Sequence, residues 1–222
     1  MRGQGSVRGR PVKPRLLLLF GLLFGFLLPS LLLLGGCAST EKPVALTYER
    51  FVNATGGTGE VYVTRPPEKP DASGSTGSTG PAMLPGGRLI LGKSRETDAD
   101  VVTRQSVTGW IADALAEELR AAGYTVRVVT ELPRGAEKGL KTSIQSLSAD
   151  QYSKALTLST VVEIKLAVEI WRRGDLLKTL TAGAREEREG FDRSSEPIRQ
   201  TLQNTLQRVM QELIPDVVKN LR

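Results

Sequence analysis

The stretch from Leu156 to Trp171 constrains the fold of this chain more than any other. Leu158, Val162, Ile164, Leu166, Val168 and Ile170 hold its even positions, while Glu163, Lys165 and Glu169 hold odd ones. A period of two places these sets on opposite sides of a strand, so one side needs a cover and the other meets water. Arg172-Arg173-Gly174-Asp175 then supplies turn residues, and Leu176 to Ala184 is expected to return antiparallel as the second strand of a hairpin. The cover lies further along. From about Ser195 to Leu221, Ile198, Leu202, Leu206, Val209, Met210, Leu213, Ile214, Val217 and Val218 recur at helical spacing. Their stripe matches the apolar face the hairpin leaves open, and packing onto the sheet is favoured over a coiled coil or a membrane-surface helix. Ser194 or Ser195 is placed to cap this helix and Pro197 suits its first turn, whereas Pro215 should kink or end it.

A second amphipathic helix is expected from Val107 to Ala122. Its stripe is Val107, Trp110, Ile111, Ala114, Leu115 and Leu119, with Asp113, Glu117, Glu118 and Arg120 toward water. Gly123 stands where a helix C-cap belongs, and strands are expected before it at Arg88 to Gly92 and after it at Tyr124 to Val129. Nearer the N-terminus, Val44 to Phe51 and Glu60 to Thr64 are rich in β-formers and are separated by a Gly-rich turn, which suggests a first hairpin. Residues 66–87 lose almost all apolar content, repeat Ser-Thr-Gly twice and read as a flexible loop. The expected fold is therefore α+β: a mixed or antiparallel sheet with two main helices, about 106–122 and 195–220, packed on one face.

The first 36 residues stand apart from that domain. Arg2, Arg8, Arg10, Lys13 and Arg15 precede an apolar run from Leu16 to Leu34, in which twelve of nineteen residues are Leu and three are Phe. This is the pattern of a secretory signal, although its length approaches that of a membrane-spanning helix. The edge of the run decides the reading: Leu34-Gly35-Gly36-Cys37 resembles the lipobox of bacterial lipoproteins, with small residues before the cleaved bond and Cys as lipid acceptor. The expectation is a signal peptide over 1–36, cleavage between Gly36 and Cys37, and diacylglycerol and N-acyl (palmitate-type) chains on Cys37. A lipidated tether over 37–43 would then lead to a single periplasmic domain over 44–222. Several acyl chains hold a protein to a bilayer stably where one holds only weakly. Cys37 is the chain's only cysteine, so no internal disulfide is available to it.

Charge excludes one class of partner. The whole chain carries +6, from 30 Lys and Arg against 24 Asp and Glu. Five of those basic residues and none of the acids lie before Cys37, which leaves 25 against 24, or +1. Near-neutral balance lacks the electrostatic footprint of phosphate-backbone binding, so no nucleic-acid partner is expected.

Candidates for chemistry are few. The chain has no His, which removes imidazole bases and the usual imidazole metal ligands. Asp98 with Asp100, and Glu186, Glu187 and Glu189, are carboxylates without EF-hand or glycosidase context. The Gly-rich stretches lack the spacing of a phosphate-binding loop, and Arg173-Gly174-Asp175 and the sequon Asn53-Ala54-Thr55 are explained by turns. No catalytic residue, metal ligand or cofactor beyond the Cys37 lipid is expected. Trp171, with Arg172 and Arg173 beside it, is the candidate partner contact, because exposed aromatics flanked by Arg suit interface anchors.

From Arg104 to Leu221 the segments VTGWIADALAEELRAAGYTVRVV and LTLSTVVEIKLAVEIWRRGDLLKTL, with the closing helix, resemble YajG-like periplasmic lipoproteins. They are also similar to a wider group that includes auxiliary lipoproteins of ABC-type lipid transport systems and the lipopolysaccharide-assembly lipoprotein. The resemblance implies an α+β domain that acts by binding or assembly in the cell envelope, without catalytic residues. Ala38 stands where an Asp would favour inner-membrane retention, so a lipid anchor in the outer membrane, facing the periplasm, is expected. Noncatalytic accessory work among other envelope proteins is the first expectation for function. Binding of lipid or a small molecule in an apolar groove is the alternative.

Overall fold

The alternating segment forms the strand it predicts. A computed structural model describes residues 41–65, 82–84 and 86–222, and in it β8 (Leu158–Arg172) and β9 (Asp175–Gly190) pair antiparallel along their whole length. Arg173 and Gly174 both take left-handed backbone, φ 53° and 93°, the geometry of a two-residue type I′ turn. Its twist matches that of the strands it joins. β9 continues six residues past Ala184, so Glu186, Glu187 and Glu189 lie within the strand.

Seven strands precede this hairpin: β1 (Glu41–Pro43), β2 (Glu60–Thr64), β3 (Ala82–Leu84), β4 (Arg88–Ser94), β5 (Ala99–Thr103), β6 (Thr125–Val129) and β7 (Gly139–Ser153). With β8 and β9 they form one mixed, open sheet of nine strands. One edge of β7 pairs with β8 throughout. Its other edge is shared: β2 joins at Gly139 and carries β6, while β4 joins at Gln151 and carries β5 and β1. Gly92 permits the second junction, because a Cβ there would stand 2.1 Å from the Ala149 carbonyl oxygen.

The two helices, α1 (Val107–Ala122) and α2 (Glu196–Leu221), touch each other and cover the same face. α2 lies over β8 and β9, where Ile164, Leu166, Val168, Leu180 and Ala182 are buried, and α1 lies over β6, β2 and β7. A side chain such as Ile164, at 0% exposure, gains roughly 2 kcal/mol by leaving water. The Ser106 hydroxyl accepts from the Gly109 N–H at 2.9 Å to cap α1, and Gly123 ends it in left-handed backbone. At α2 the Ser194 hydroxyl accepts from the Glu196 N–H, while Ser195 makes no side-chain cap.

Several expectations need correction. Val44 to Phe51 is not a strand and makes no hairpin with β2, which instead pairs parallel with β6 and β7. Beyond Val44 its backbone groups find side-chain partners on the helices and on Gln105, so no ladder forms. The stretch expected as a tether, 37–43, overlaps β1, since Glu41–Pro43 pairs with β5 and the Val44 N–H donates to the Val102 carbonyl. Within the loop expected at 66–87, β3 pairs antiparallel with β4, and residues 66–81 lie outside those described. β5 and the 15-residue β7 were not anticipated. In β7 a bulge between Ile144 and Ser146 shifts the inward set from Leu140 and Thr142 to Leu147 and Ala149. The shift hides the period of two. Finally, α2 runs unbroken through Pro215. Pro215 and Gln211 are both exposed, so the Gln211 carbonyl that loses its helical donor faces water.

Candidate functional site

The densest polar arrangement is the seam between residues 44–59, here termed the strap, and the two helices. Val44, Leu46 and Val52 bury their side chains beneath the strap, yet between its two ends, where Val44 bonds to β5 and Gly59 to β6, its backbone N–H and C=O groups need partners that no strand offers. α1 provides them. The Gln105 amide brackets Leu46, accepting from its N–H and donating to its carbonyl. The Trp110 indole N–H donates to the Thr47 carbonyl at 2.9 Å. One carboxylate, Glu118, accepts from the Tyr48 hydroxyl at 2.5 Å, from the Phe51 N–H at 2.8 Å and from the Val52 N–H at 3.1 Å.

Glu118 is only 1% exposed, which corrects its expected place on the water side of α1. A buried carboxylate is tolerated where donors surround it, and here a hydroxyl and two backbone N–H groups do. Burial first, and the bond to Glu118 second, push the Tyr48 phenol well above its ordinary range, so it stays a donor. The sequence held a faint sign: Glu118 lies three residues after Leu115 and four after Ala114, on the margin of the apolar stripe.

α2 holds the strap from the other side. Arg199 donates to the Thr47 hydroxyl at 2.8 Å and Gln207 to the Glu49 carbonyl at 2.8 Å. Arg199 also pairs with Glu196, and that pair, joined by a bond from Gln200, draws the half-exposed Glu196 carboxyl down to about 2. Where the strap passes the C-terminal half of α2, a groove of about 390 Å³ opens. Val52, Ala54, Pro215 and Val218 line it, and Lys219 and Arg222 stand among its polar residues.

The residues singled out in the sequence fall elsewhere. Gly36 and Cys37 lie outside the described residues. The hairpin does bring Trp171, Arg172 and Arg173 to one tip. There the Lys141 ammonium stands 4.1 Å over the Trp171 ring, and the indole N–H donates to Glu169 at 2.9 Å. Arg172 donates to the Asn220 carbonyl at 3.2 Å, tying the hairpin to the end of α2, while Arg173 is exposed in the turn. The carboxylates do not converge. Asp100 pairs with Lys93, Glu186 with Arg208, and Glu187 and Glu189 with Lys154. Asp98 occupies a turn at φ 51°. Among the described residues no group of three or more acidic or cysteine side chains could hold a metal ion. No described helix is long and apolar enough to cross a membrane.

Two large apolar side chains were missed altogether. Leu156 is 87% exposed and Phe191 79% exposed, and the pairing of Leu158 with Gly190 sets both at the end of the hairpin opposite Trp171. Leu156 was read as part of the alternating strand; the strand starts two residues later and leaves it in the preceding turn.

Fold and sequence together define a small α+β lipoprotein domain of the cell envelope. Residues 90–218 match the family described as uncharacterized lipoprotein, and with more than half of its length matched the chain belongs to that YajG-like family. No curated protein matches the chain in sequence. Among solved structures, a Xanthomonas campestris protein covers 82% of this chain and 96% of its own at 12% identity, with a TM-score of 0.50, a likeness of fold alone. A PelC dodecamer from Paraburkholderia phytofirmans (12% identity, 74% of this chain and 92% of that one, TM-score 0.34) is more distant. So is a lipoprotein from Neisseria meningitidis (16% identity, 68% and 98%, TM-score 0.29).

Proposed function

We propose that this protein is a noncatalytic accessory or assembly component of a cell-envelope complex. In this reading it is exported, cleaved between Gly36 and Cys37, and lipidated on Cys37 with diacylglycerol and an N-acyl chain. It is anchored in the outer membrane with its domain facing the periplasm, and it works by binding other envelope proteins. The observation that carries the binding role is the exposed pair Leu156 and Phe191 at one end of the hairpin. Water-facing large apolar side chains, an aromatic among them, are the material of interface anchors. The polar side chains of the strap seam, by contrast, already bond one another and the backbone. The tip at Trp171, Arg172 and Arg173 is the second place for such a contact.

The test is in vivo crosslinking and pull-down of the lipidated protein from envelope membranes, with Cys37→Ala and Leu156→Ser/Phe191→Ser forms in parallel. Partners captured by the native form and lost by both variants support the reading. An identical set of partners from all three forms contradicts it.

A second reading, binding of a lipid or small molecule, is favoured by the groove between the strap and α2. Its volume, about 390 Å³, lies in the usual range for ligand sites of roughly 300–1,000 Å³, and its walls are mainly apolar. Lipid extracted from the purified protein, and displaced by Val218→Trp, would favour it over the first.

A further inference from the structure

The end of the domain that carries Leu156 and Phe191 is also the end at which the chain enters it. β4 runs parallel to β7, with Ser94 beside Gln151, so both strands point toward the connection that holds Leu156. β5 runs back from that end, and β1 lies parallel to β5 with Glu41 beside Asp100. The first residue of β1 therefore faces the same end. Side chains agree with the topology. The Lys42 ammonium donates to Gln151 at 2.6 Å, and Glu96, in the turn between β4 and β5, pairs at 3.1 Å with Arg193, two residues beyond Phe191.

Cys37 precedes Glu41 by four residues, and four residues fully extended span at most about 14 Å. With acyl chains on Cys37, the bilayer surface lies within that reach of the start of β1. Leu156, 87% exposed, and Phe191, 79% exposed, are then held at the membrane side of the domain. Trp171 stands at the other end of β8, a strand of 15 residues and roughly 45 Å.

What meets the pair there is a protein rather than lipid. Beside Phe191 opens a cleft of about 170 Å³, walled by Leu158, Thr160, Pro197 and Gln200. A projecting side chain next to a hole suits a folded partner, whose surface packs against an interface as densely as an interior does. An edge built for lipid instead turns Lys and Arg toward headgroup phosphates. Here Lys154 pairs with Glu187 and Glu189, Arg193 pairs with Glu96, and Arg188 donates to Gln200. Asp192 and Glu196, also on the cleft wall, set negative charge against an anionic bilayer. Proteins that span a membrane carry belts of aromatic side chains at its interface, the level at which the tether holds Leu156 and Phe191.

We propose that Leu156, Phe191 and the cleft beside them dock onto a protein spanning the same membrane that the Cys37 lipid enters, at the aromatic band of that protein where it leaves the bilayer. The inference rests on the accessory reading and on its lipidation of Cys37, and it names the kind of partner that reading requires. A soluble periplasmic partner is the alternative it rejects.

The test uses the full lipidated chain in cells, with a benzophenone side chain in place of Phe191 or, as control, of Arg173. The first should crosslink to a membrane-spanning protein through residues of its interfacial band, located by mass spectrometry, and the second should not. Four Glu-Ala-Ala-Ala-Lys repeats inserted between Ser39 and Thr40 form a helical spacer of roughly 30 Å that lets the domain stand off the bilayer. The spacer should cut that product about tenfold, by lowering the local concentration of the partner's band. Leu156→Ser without the spacer should weaken it as well. A protein product indifferent to the spacer, or one formed with a soluble periplasmic protein, overturns the proposal and leaves the accessory reading standing. Adducts with phospholipid alone overturn it too. No protein product from either position, together with identical partners from the native, Cys37→Ala and Leu156→Ser/Phe191→Ser forms, would end both readings.

Discussion

The β8–β9 hairpin and the strap solve the same problem in opposite ways. Both are extended segments rich in β-formers, and each must find partners for its backbone polar groups as its apolar side chains leave water. The hairpin finds them in its neighbour across a two-residue turn, through a repeating ladder whose partners are near in sequence. Between its ends the strap finds them mainly in side chains 59 to 158 residues away, at Gln105, Trp110, Glu118 and Gln207. A ladder spreads its stability over many equivalent bonds, whereas the strap concentrates its own in a few. Loss of one bond should therefore be minor in the first region and large but local in the second.

The largest effect is expected in the core that both regions share. Ile164→Ala removes a fully buried side chain between β8 and α2 and should cost about 4 kcal/mol, read as a fall in the denaturant midpoint of the whole domain. Glu118→Ala leaves one hydroxyl and two backbone donors without their acceptor and should cost about 3 kcal/mol, with Glu118→Gln less severe. Limited proteolysis should then cut within residues 44–59 while the rest of the domain survives. In the hairpin, Gly174→Ala places a side chain at φ 93° and should cost only about 1 kcal/mol, measured by thermal unfolding.

The smallest effect is a pH dependence at the start of α2. Arg199 and Gln200 hold the Glu196 carboxyl at about 2, below its ordinary 4.5. A depressed carboxyl stabilises the fold fully above its unfolded pKa, and that contribution is lost as pH falls from about 4.5 toward 2. Stability compared between the native chain and Glu196→Gln should differ above pH 4.5 and converge as pH approaches 2.

The same contrast explains what was legible in the sequence. The hairpin, α1 and α2 were read from residues alone because their periods are local properties of the chain, and Gly123 marks the end of α1. β7 escaped because one bulged residue inverted its alternation midway. The strap was misread because Val44 to Phe51 carries the composition of a strand, and nothing in eight residues reveals that its bonds go to helix side chains. Glu118 was assigned to water on charge, although its position beside Leu115 and Leu119 put it at the margin of the buried stripe. The Trp171 cluster was located at the hairpin tip as expected, but its bonds to Lys141, Glu169 and Asn220 depend on register and helix placement that no local pattern contains.

The central claim is that the strap is a separate layer, fixed to the helices chiefly by Glu118. Native-state hydrogen exchange on the full chain and on Glu118→Ala tests it most directly. The account predicts that the Phe51 and Val52 amides lose protection in the variant while those of β7, β8 and β9 keep theirs. Unchanged protection at Phe51 and Val52, or an equal loss across the sheet, would contradict it.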